Sequence, residues 1–248
     1  MAIKWLECEI TERTTWTKNL SSIKFRGNVP AYTAGQFTKV GLEIAGDIVS
    51  RPYSYVSVPT DDFLEIVYVT VPGGYLTPEL DKLKTGDKIY VMDKASGFFV
   101  MNEVPDGKNL WMIATGTGLG VFISLLKSKD PWEKFENIIL IHGVRESAEL
   151  IYTEQISNFK KNNPKNFQYI SSVTREIKEG SLNERITQSI KNGTLEKMTD
   201  ININKDSQFM VCGNPDMINE ILKLLGNNYG LERNRRSKPG NITLEKYW

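Results

Sequence analysis

Arg51-Pro52-Tyr53-Ser54-Tyr55-Val56 sets a fixed cation, a flat ring and a hydroxyl within four residues of one another. The planar fork of an arginine suits a pair of phosphate oxygens. Tyr53 offers a broad aromatic face and Ser54 a small donor and acceptor. Alternation along a strand would put Arg51 and Tyr53 on one face and Ser54 on the other, and a bend at Pro52 or at the strand end would let all three reach one ligand. Such a set suits a dinucleotide carrying a flat redox ring. An ordinary edge strand with an exposed arginine reads equally well from these six residues alone.

Around that stretch, residues 1 to about 100 read as short strands broken by turns: Trp5–Thr11, Leu20–Arg26, Thr38–Ile44, Tyr53–Ser57, Phe63–Thr70 and Lys88–Met92. Pro30, Gly35, Gly46, Pro59, Pro72-Gly73-Gly74 and Gly86-Asp87 punctuate them. Short strands at near-regular spacing favour a closed antiparallel barrel. Glu79–Lys84 has room for little more than one helical turn. Glu103-Val-Pro-Asp-Gly-Lys108 has the composition of a link. Beyond it strands alternate with helices: Asn109–Ala114, then Val121–Lys127; Asn137–His142, then Glu149–Asn162; Asn166–Val173, then Leu182–Asn192; Ser207–Cys212, then Pro215–Asn227. That order predicts βαβ units and a mostly parallel sheet. The expected fold is a two-domain β plus α/β protein: an antiparallel six-stranded β-barrel over 1–103 and a Rossmann-like parallel sheet over 104–248.

The 248 residues are 40% hydrophobic and 25% charged, enough for proper cores without disulfides. A formal net charge of +1 gives no overall pull toward nucleic acid or anionic membrane. Cys8 and Cys212 lie far apart with no C-x-x-C pair, which argues against a zinc or iron–sulfur site and fits a reducing compartment. No signal peptide and no apolar run of membrane-spanning length is read, so the expectation is a cytoplasmic protein without metal.

Ala114-Thr-Gly-Thr-Gly-Leu-Gly-Val121 follows a strand and opens a helix, the setting in which glycines and free N–H groups receive a pyrophosphate. Its spacing, Gly116-x-Gly118-x-Gly120, also fits a tight turn with no ligand. The next strand ends His142-Gly-Val-Arg145, with an arginine where a site selecting NAD usually carries an acid. Arg175 follows the third strand and Arg185 comes soon after, so the three would build a pocket for a ribose phosphate. His142, the single histidine, reads as a strand-end residue, not a metal ligand or general base. In Val211-Cys-Gly-Asn-Pro-Asp216, Gly213 permits close approach and the helix after Pro215 can aim its N-terminus at a ligand. Cys212 is either a small wall to that site or a buried structural thiol. Tyr68-Val-Thr-Val-Pro-Gly-Gly-Tyr-Leu-Thr77 reads as strand, glycine turn and helix start, with N–H groups and a hydroxyl at Gly74, Leu76 and Thr77 for a phosphate. Arg233-Asn-Arg-Arg-Ser-Lys238 is a basic run, either solvated or complementary to an acidic partner. The chain ends Glu245-Lys-Tyr-Trp248, two aromatic rings that something should cover.

These motifs, in this order, resemble those of bacterial ferredoxin/flavodoxin–NADP reductases. Arg51-x-Tyr53-Ser54 resembles the family's flavin signature. Ala34-Gly-Gln-Phe37, Gly97-Phe-Phe99, the glycine turn, the arginine triple, Cys212-Gly213-x-Pro215 and the ending Glu245-x-Tyr247-Trp248 resemble further family motifs. Val121 stands where members often have proline. The resemblance implies FAD on Arg51, Pro52, Tyr53, Ser54, Tyr68, Val69, Gly74, Tyr75, Leu76, Thr77, Thr117, Tyr247 and Trp248. It implies NADP on Gly116, Gly118, Arg145, Thr174, Arg175, Arg185, Gly213, Asn214 and Asp216. Tyr53 and Tyr247 would sandwich the flavin ring, with Ser54 near its N5, Cys212 facing the nicotinamide and Glu245 assisting proton movement. Ferredoxin or flavodoxin, acidic one-electron carriers, would be the partner of a monomer. An NADPH-dependent flavin reductase with another acceptor, or a flavin module acting as a redox sensor, are the alternatives.

Overall fold

Hydrogen bonding along the first hundred residues forms one antiparallel sheet, in a computed structural model that describes residues 4–247. Its strands are β1 (Trp5–Thr17), β2 (Leu20–Arg26), β3 (Phe37–Ile44), β4 (Asp47–Ser54), β5 (Leu64–Val69) and, after the short helix α1 (Thr77–Leu80), β6 (Lys88–Met92). Their order across the sheet is β4-β3-β6-β1-β2-β5. Just past β4 the chain turns onto the opposite edge. Val56 N–H donates to the Glu65 carbonyl of β5 (2.9 Å) and the Glu65 N–H donates to Ser57 Oγ (3.0 Å), which closes the sheet on itself. Inward residues such as Ile10, Ile23, Phe25, Val40, Ile66, Ile89 and Val91 fill the interior. Burying each apolar side chain of that size stabilises the fold by about 1.5–3 kcal/mol.

The strand expected at Tyr53–Ser57 instead runs Asp47–Ser54 and forms a hairpin with β3. Ile44 pairs with Asp47 across Ala45 and Gly46, both at positive φ (54° and 89°), the geometry a two-residue hairpin turn requires. β4 lies at the sheet edge, where Pro52 removes no ladder bond the sheet needs.

From residue 101 the chain forms a parallel sheet, with β7 (Asn109–Thr115), α2 (Leu119–Lys127), α3 (Asp130–Lys134), β8 (Asn137–Val144), α4 (Thr153–Asn162) and β9 (Phe167–Val173). It continues with α5 (Ile186–Lys191), α6 (Thr194–Thr199), β10 (Ser207–Gly213), α7 (Pro215–Tyr229) and β11 (Ile242–Lys246). The strand order is β11-β10-β7-β8-β9, the doubly wound arrangement, and it reverses between β7 and β10. β7, β8 and β10 are buried nearly end to end, as parallel strands covered on both faces must be. The chain divides into two compact units, Met1–Val100 and Met101–Trp248.

Elements of the second unit differ from expectation too. α4 begins at Thr153, not Glu149, because Tyr152 sits at φ 56° and breaks the helical run. α5 begins after Arg185, because Leu182 is drawn into pairing with β9: Val173 N–H donates to Leu182 O and Leu182 N–H to Ser171 O, each at 2.8 Å. The C-terminal segment is the edge strand β11, parallel to β10 as far as Gly213↔Lys246.

Candidate functional site

In the barrel unit, exposure falls toward the end of β4: Arg51 is exposed, Tyr53 half-buried and Ser54 buried. Arg51 Nη1 donates to the Ser50 carbonyl (2.7 Å), while Pro52 lies exposed beside it. Burial pushes the Tyr53 phenol well above its usual range, so it is neutral. The end of β5 and the segment after it present apolar surface to solvent at Val69, Val71 and Tyr75, which is 79% exposed. A flat ring would cover such groups, and in that respect the residues fit a flavin nucleotide.

Beneath that loop lies a polar clasp that the sequence did not disclose. Asp81, at the end of α1, accepts from Arg13 Nη2 (3.0 Å), from the Tyr68 hydroxyl (2.9 Å) and from the Thr70 hydroxyl. Tyr68, expected on the flavin, is thereby committed: its ring is 2% exposed and its hydroxyl serves Asp81. Burial raises its pKa to about 12. Gly74 is committed too, since its N–H donates to Val71 O (2.9 Å) inside the turn. Thr77 Oγ1 accepts from Val71 N (2.9 Å), which leaves its hydroxyl hydrogen to give, and Leu76 is buried at the helix start. A cavity of about 480 Å³ near Leu42, Leu83 and Tyr90 shares no residue with this set.

In the second unit the glycine turn stands at the C-terminal ends of β7 and β10, the switch point where doubly wound sheets bind ligands. Gly116 has φ 54°, and a Cβ there would meet nothing within 4 Å, so the turn is open on its outer side. On its inner side a Cβ at Gly118 would lie 2.7 Å from Cys212 O, and one at Gly213 2.2 Å from Thr115 Oγ1. Only glycine allows this approach of the two strand ends. Thr115 Oγ1 accepts from Asn214 N (2.9 Å), another link absent from the sequence reading. Thr117 is buried within the turn. This glycine cradle fits a dinucleotide pyrophosphate.

The helix start after Pro215 differs from expectation. Asn214 Oδ1 accepts from Asp216 N (2.8 Å) and Met217 N (3.1 Å), so these donors serve the helix cap and Asn214's side-chain oxygen is itself occupied.

Two of the three arginines, Arg145 and Arg175, are linked through the main chain. Arg175 N–H donates to Arg145 O (2.9 Å), Thr174 N–H to Val144 O (3.2 Å), and the Thr174 hydroxyl to the same Val144 carbonyl. Glu149 Oε2 holds the N–H groups of Arg145 (2.8 Å) and Glu146 (3.0 Å), and Glu176 accepts from Ser147 N. That last bond holds the Glu176 carboxyl below its usual range. Arg185 caps α5 from the segment paired along β9. All three arginine side chains are exposed.

Cys212, Glu245 and Tyr247 also converge. Cys212 pairs with Glu245 in the β10–β11 register, and Tyr247 N–H donates to Gly213 O (3.0 Å). Burial keeps the Cys212 thiol protonated, the Glu245 carboxylate adds to this, and a hydrogen bond with Tyr247 opposes it. Trp248 lies outside the described residues. The basic run is a tight turn closed by Arg235 and Lys238. Arg236 pairs with Glu103 (2.6 Å) and Lys238 with Glu232, while Arg233 and Arg235 are exposed. Among the described residues there is no cluster of three His, Cys, Asp or Glu able to hold a metal, and no helix long and apolar enough to cross a membrane.

Residues 7–95 match the oxidoreductase FAD-binding domain and residues 112–223 the oxidoreductase NAD-binding domain. The chain is 40% identical over 245 residues to a flavodoxin/ferredoxin–NADP reductase of Escherichia coli, covering 98% of this chain and 99% of that one. It is 34% identical over 244 residues to a ferredoxin–NADP reductase of Azotobacter vinelandii, 93% of each chain. A solved ferredoxin NADP+ reductase from Neisseria gonorrhoeae, with bound FAD and NADP, matches with a TM-score of 0.93 at 29% identity over 99% of both chains.

Proposed function

Because this chain belongs to the flavodoxin/ferredoxin–NADP reductase family, we propose that it is an FAD-dependent oxidoreductase exchanging a hydride with NADP(H) and single electrons with ferredoxin or flavodoxin. FAD, when bound, supplies the step between paired and single electrons. The chain's residues bind, orient and shield. Arg51 and the backbone near Leu76 and Thr77 hold the flavin nucleotide's phosphates, Tyr53 stacks on its ring, and Ser54 lies at its reactive edge. Gly116, Gly118 and Gly213 admit the pyrophosphate of NADP(H), and Arg145, Arg175 and Arg185 take its ribose phosphate. Cys212 and Tyr247 border the nicotinamide position. Glu245 serves proton movement from beside Cys212.

The observation that carries the choice of NADP is the main-chain link between Arg145 and Arg175, which sets two exposed guanidinium groups on adjoining strand ends. Exposed Arg233 and Arg235 support docking of an acidic carrier. We also place the protein in the cytoplasm as a monomer. Two buried, unpaired cysteines suit a reducing compartment, and among the described residues outside the flavin loop the large exposed apolar side chains are the scattered Ile177 and Met198.

The test is a purified protein that is yellow and bleaches anaerobically with NADPH, slowly with NADH. A protein that takes up no FAD, or bleaches equally fast with both nucleotides, would overturn the reading.

A further inference from the structure

His142 stands near the end of β8, paired with Ala114 of β7 one strand over, and is wholly buried. Its Nε2 lies 3.1 Å from the Gly116 carbonyl oxygen, which also accepts from the Leu119 N–H inside the turn. A carbonyl oxygen only accepts, so a proton sits on Nε2, and complete burial keeps the ring neutral. Nδ1 is then an acceptor, buried and without a partner among the described residues. Burying an unpaired ring nitrogen is costly. A leucine or phenylalanine would fill the space without that cost. What they lack is the donor.

The turn it serves is held unevenly. Gly118 is pressed against the end of β10, but at Gly116 nothing lies within 4 Å on the open side. Packing therefore fixes one end of the turn, and at the other end the Gly116 peptide is held through its carbonyl. We propose that His142 is a positioning residue for nucleotide binding: its Nε2–H keeps the Gly116 carbonyl drawn toward the sheet and away from the pyrophosphate. Without it the carbonyl keeps only the Leu119 N–H, and the peptide at φ 54° is held less firmly against turning its negative oxygen toward the anion. Nothing in this assignment makes His142 a proton donor in the reaction, since the ring does not face the open side.

The inference rests on the reading of the glycine turn as a pyrophosphate site, and the experiment separates the two. Full-length protein with bound FAD is titrated calorimetrically with NADP+ and with 2′-AMP, which carries the ribose phosphate but no pyrophosphate. His142→Leu removes the donor; His142→Gln keeps one; His142→Phe stands in should the leucine variant not fold. The expected result is about tenfold weaker NADP+ binding in His142→Leu, the size of one hydrogen bond. Binding of 2′-AMP should be unchanged and most of the NADP+ loss recovered in His142→Gln. NADP+ binding at the parent affinity in the leucine variant, equal weakening of both ligands, or a glutamine variant no better than leucine would each overturn the role. A parent protein that binds 2′-AMP and NADP+ with equal affinity would instead overturn the pyrophosphate reading, and this role with it.

Discussion

Lowering the pH from 7 to 5 should destabilise the fold by about 2 kcal/mol through one side chain, His142. Burial drops its pKa from 6.5 to about 4, against smaller opposing effects from the Gly116 carbonyl and the Glu149 carboxylate. The unfolded chain takes up the proton first, so stability falls as pH drops through 6.5 and levels off only below about 4. At pH 5 the unfolded imidazole is almost fully charged while the folded one is about nine-tenths neutral, a gap of about 2 kcal/mol; at pH 7 it is about 0.2 kcal/mol. The carboxyls of Glu12, Glu176 and Glu232 are held below 4.5. Their stabilisation is fully present above that value and lost below it, outside the window. There is no second histidine in the sequence to confuse the result. The assay is urea unfolding at pH 7 and pH 5 with FAD in excess, comparing the parent with His142→Leu. The variant should be nearly flat over the interval in which the parent loses about 2 kcal/mol. Equal slopes for the two proteins would show that this imidazole does not titrate with unfolding.

Arg145→Ala with Arg175→Ala should raise KM for NADPH by well over tenfold and leave NADH nearly untouched, each charge-assisted contact contributing about 1.5–3 kcal/mol. Equal losses with both nucleotides would reject the phosphate pocket. Asp81→Ala strips partners from Arg13, Tyr68 and Thr70 at once. It should lower stability by about 2–4 kcal/mol and speed FAD release, followed by flavin fluorescence; an unchanged release rate would make the clasp irrelevant to the flavin loop. Reduction of an acidic carrier should slow as salt screens exposed charges beyond about 8–10 Å, while NADPH oxidation with a small neutral acceptor stays level. A salt-independent carrier rate would remove the electrostatic docking surface.

The alternation of strands and helices after residue 108 was legible because parallel strands such as Asn109–Thr115 are continuous apolar runs bounded by glycine and polar turns. The hairpin between β3 and β4 was not. Its turn, Ala45-Gly46, lacks the usual Asn or Asp, and β4 up to Ser54 is half-buried or exposed without alternation, so no apolar pattern marks it. β11 escaped notice because its partner, β10, lies some thirty residues back and only tertiary pairing makes Ile242–Lys246 a strand. Among site residues, chemical type could be read but not prior commitment. Gly74 and Asn214 looked like donors and acceptors for a ligand, yet the turn and the helix cap take them first. The arginine triple was visible from charge and strand ends, whereas Asp81 and Thr115 act through partners that sequence spacing cannot supply.

The bond between Arg175 N–H and Arg145 O joins main-chain atoms, and the neighbouring bonds that shape these strand ends also use the main chain on at least one side. Every residue type except proline brings the same N–H, so natural selection can exchange the side chains at 145 and 175 without rebuilding their support. On the proposed phosphate role of these arginines, nucleotide preference is separable from foldability. Descendants could drift toward NADH through single substitutions, each passing through a stable intermediate, while a proline at 175 would close that route.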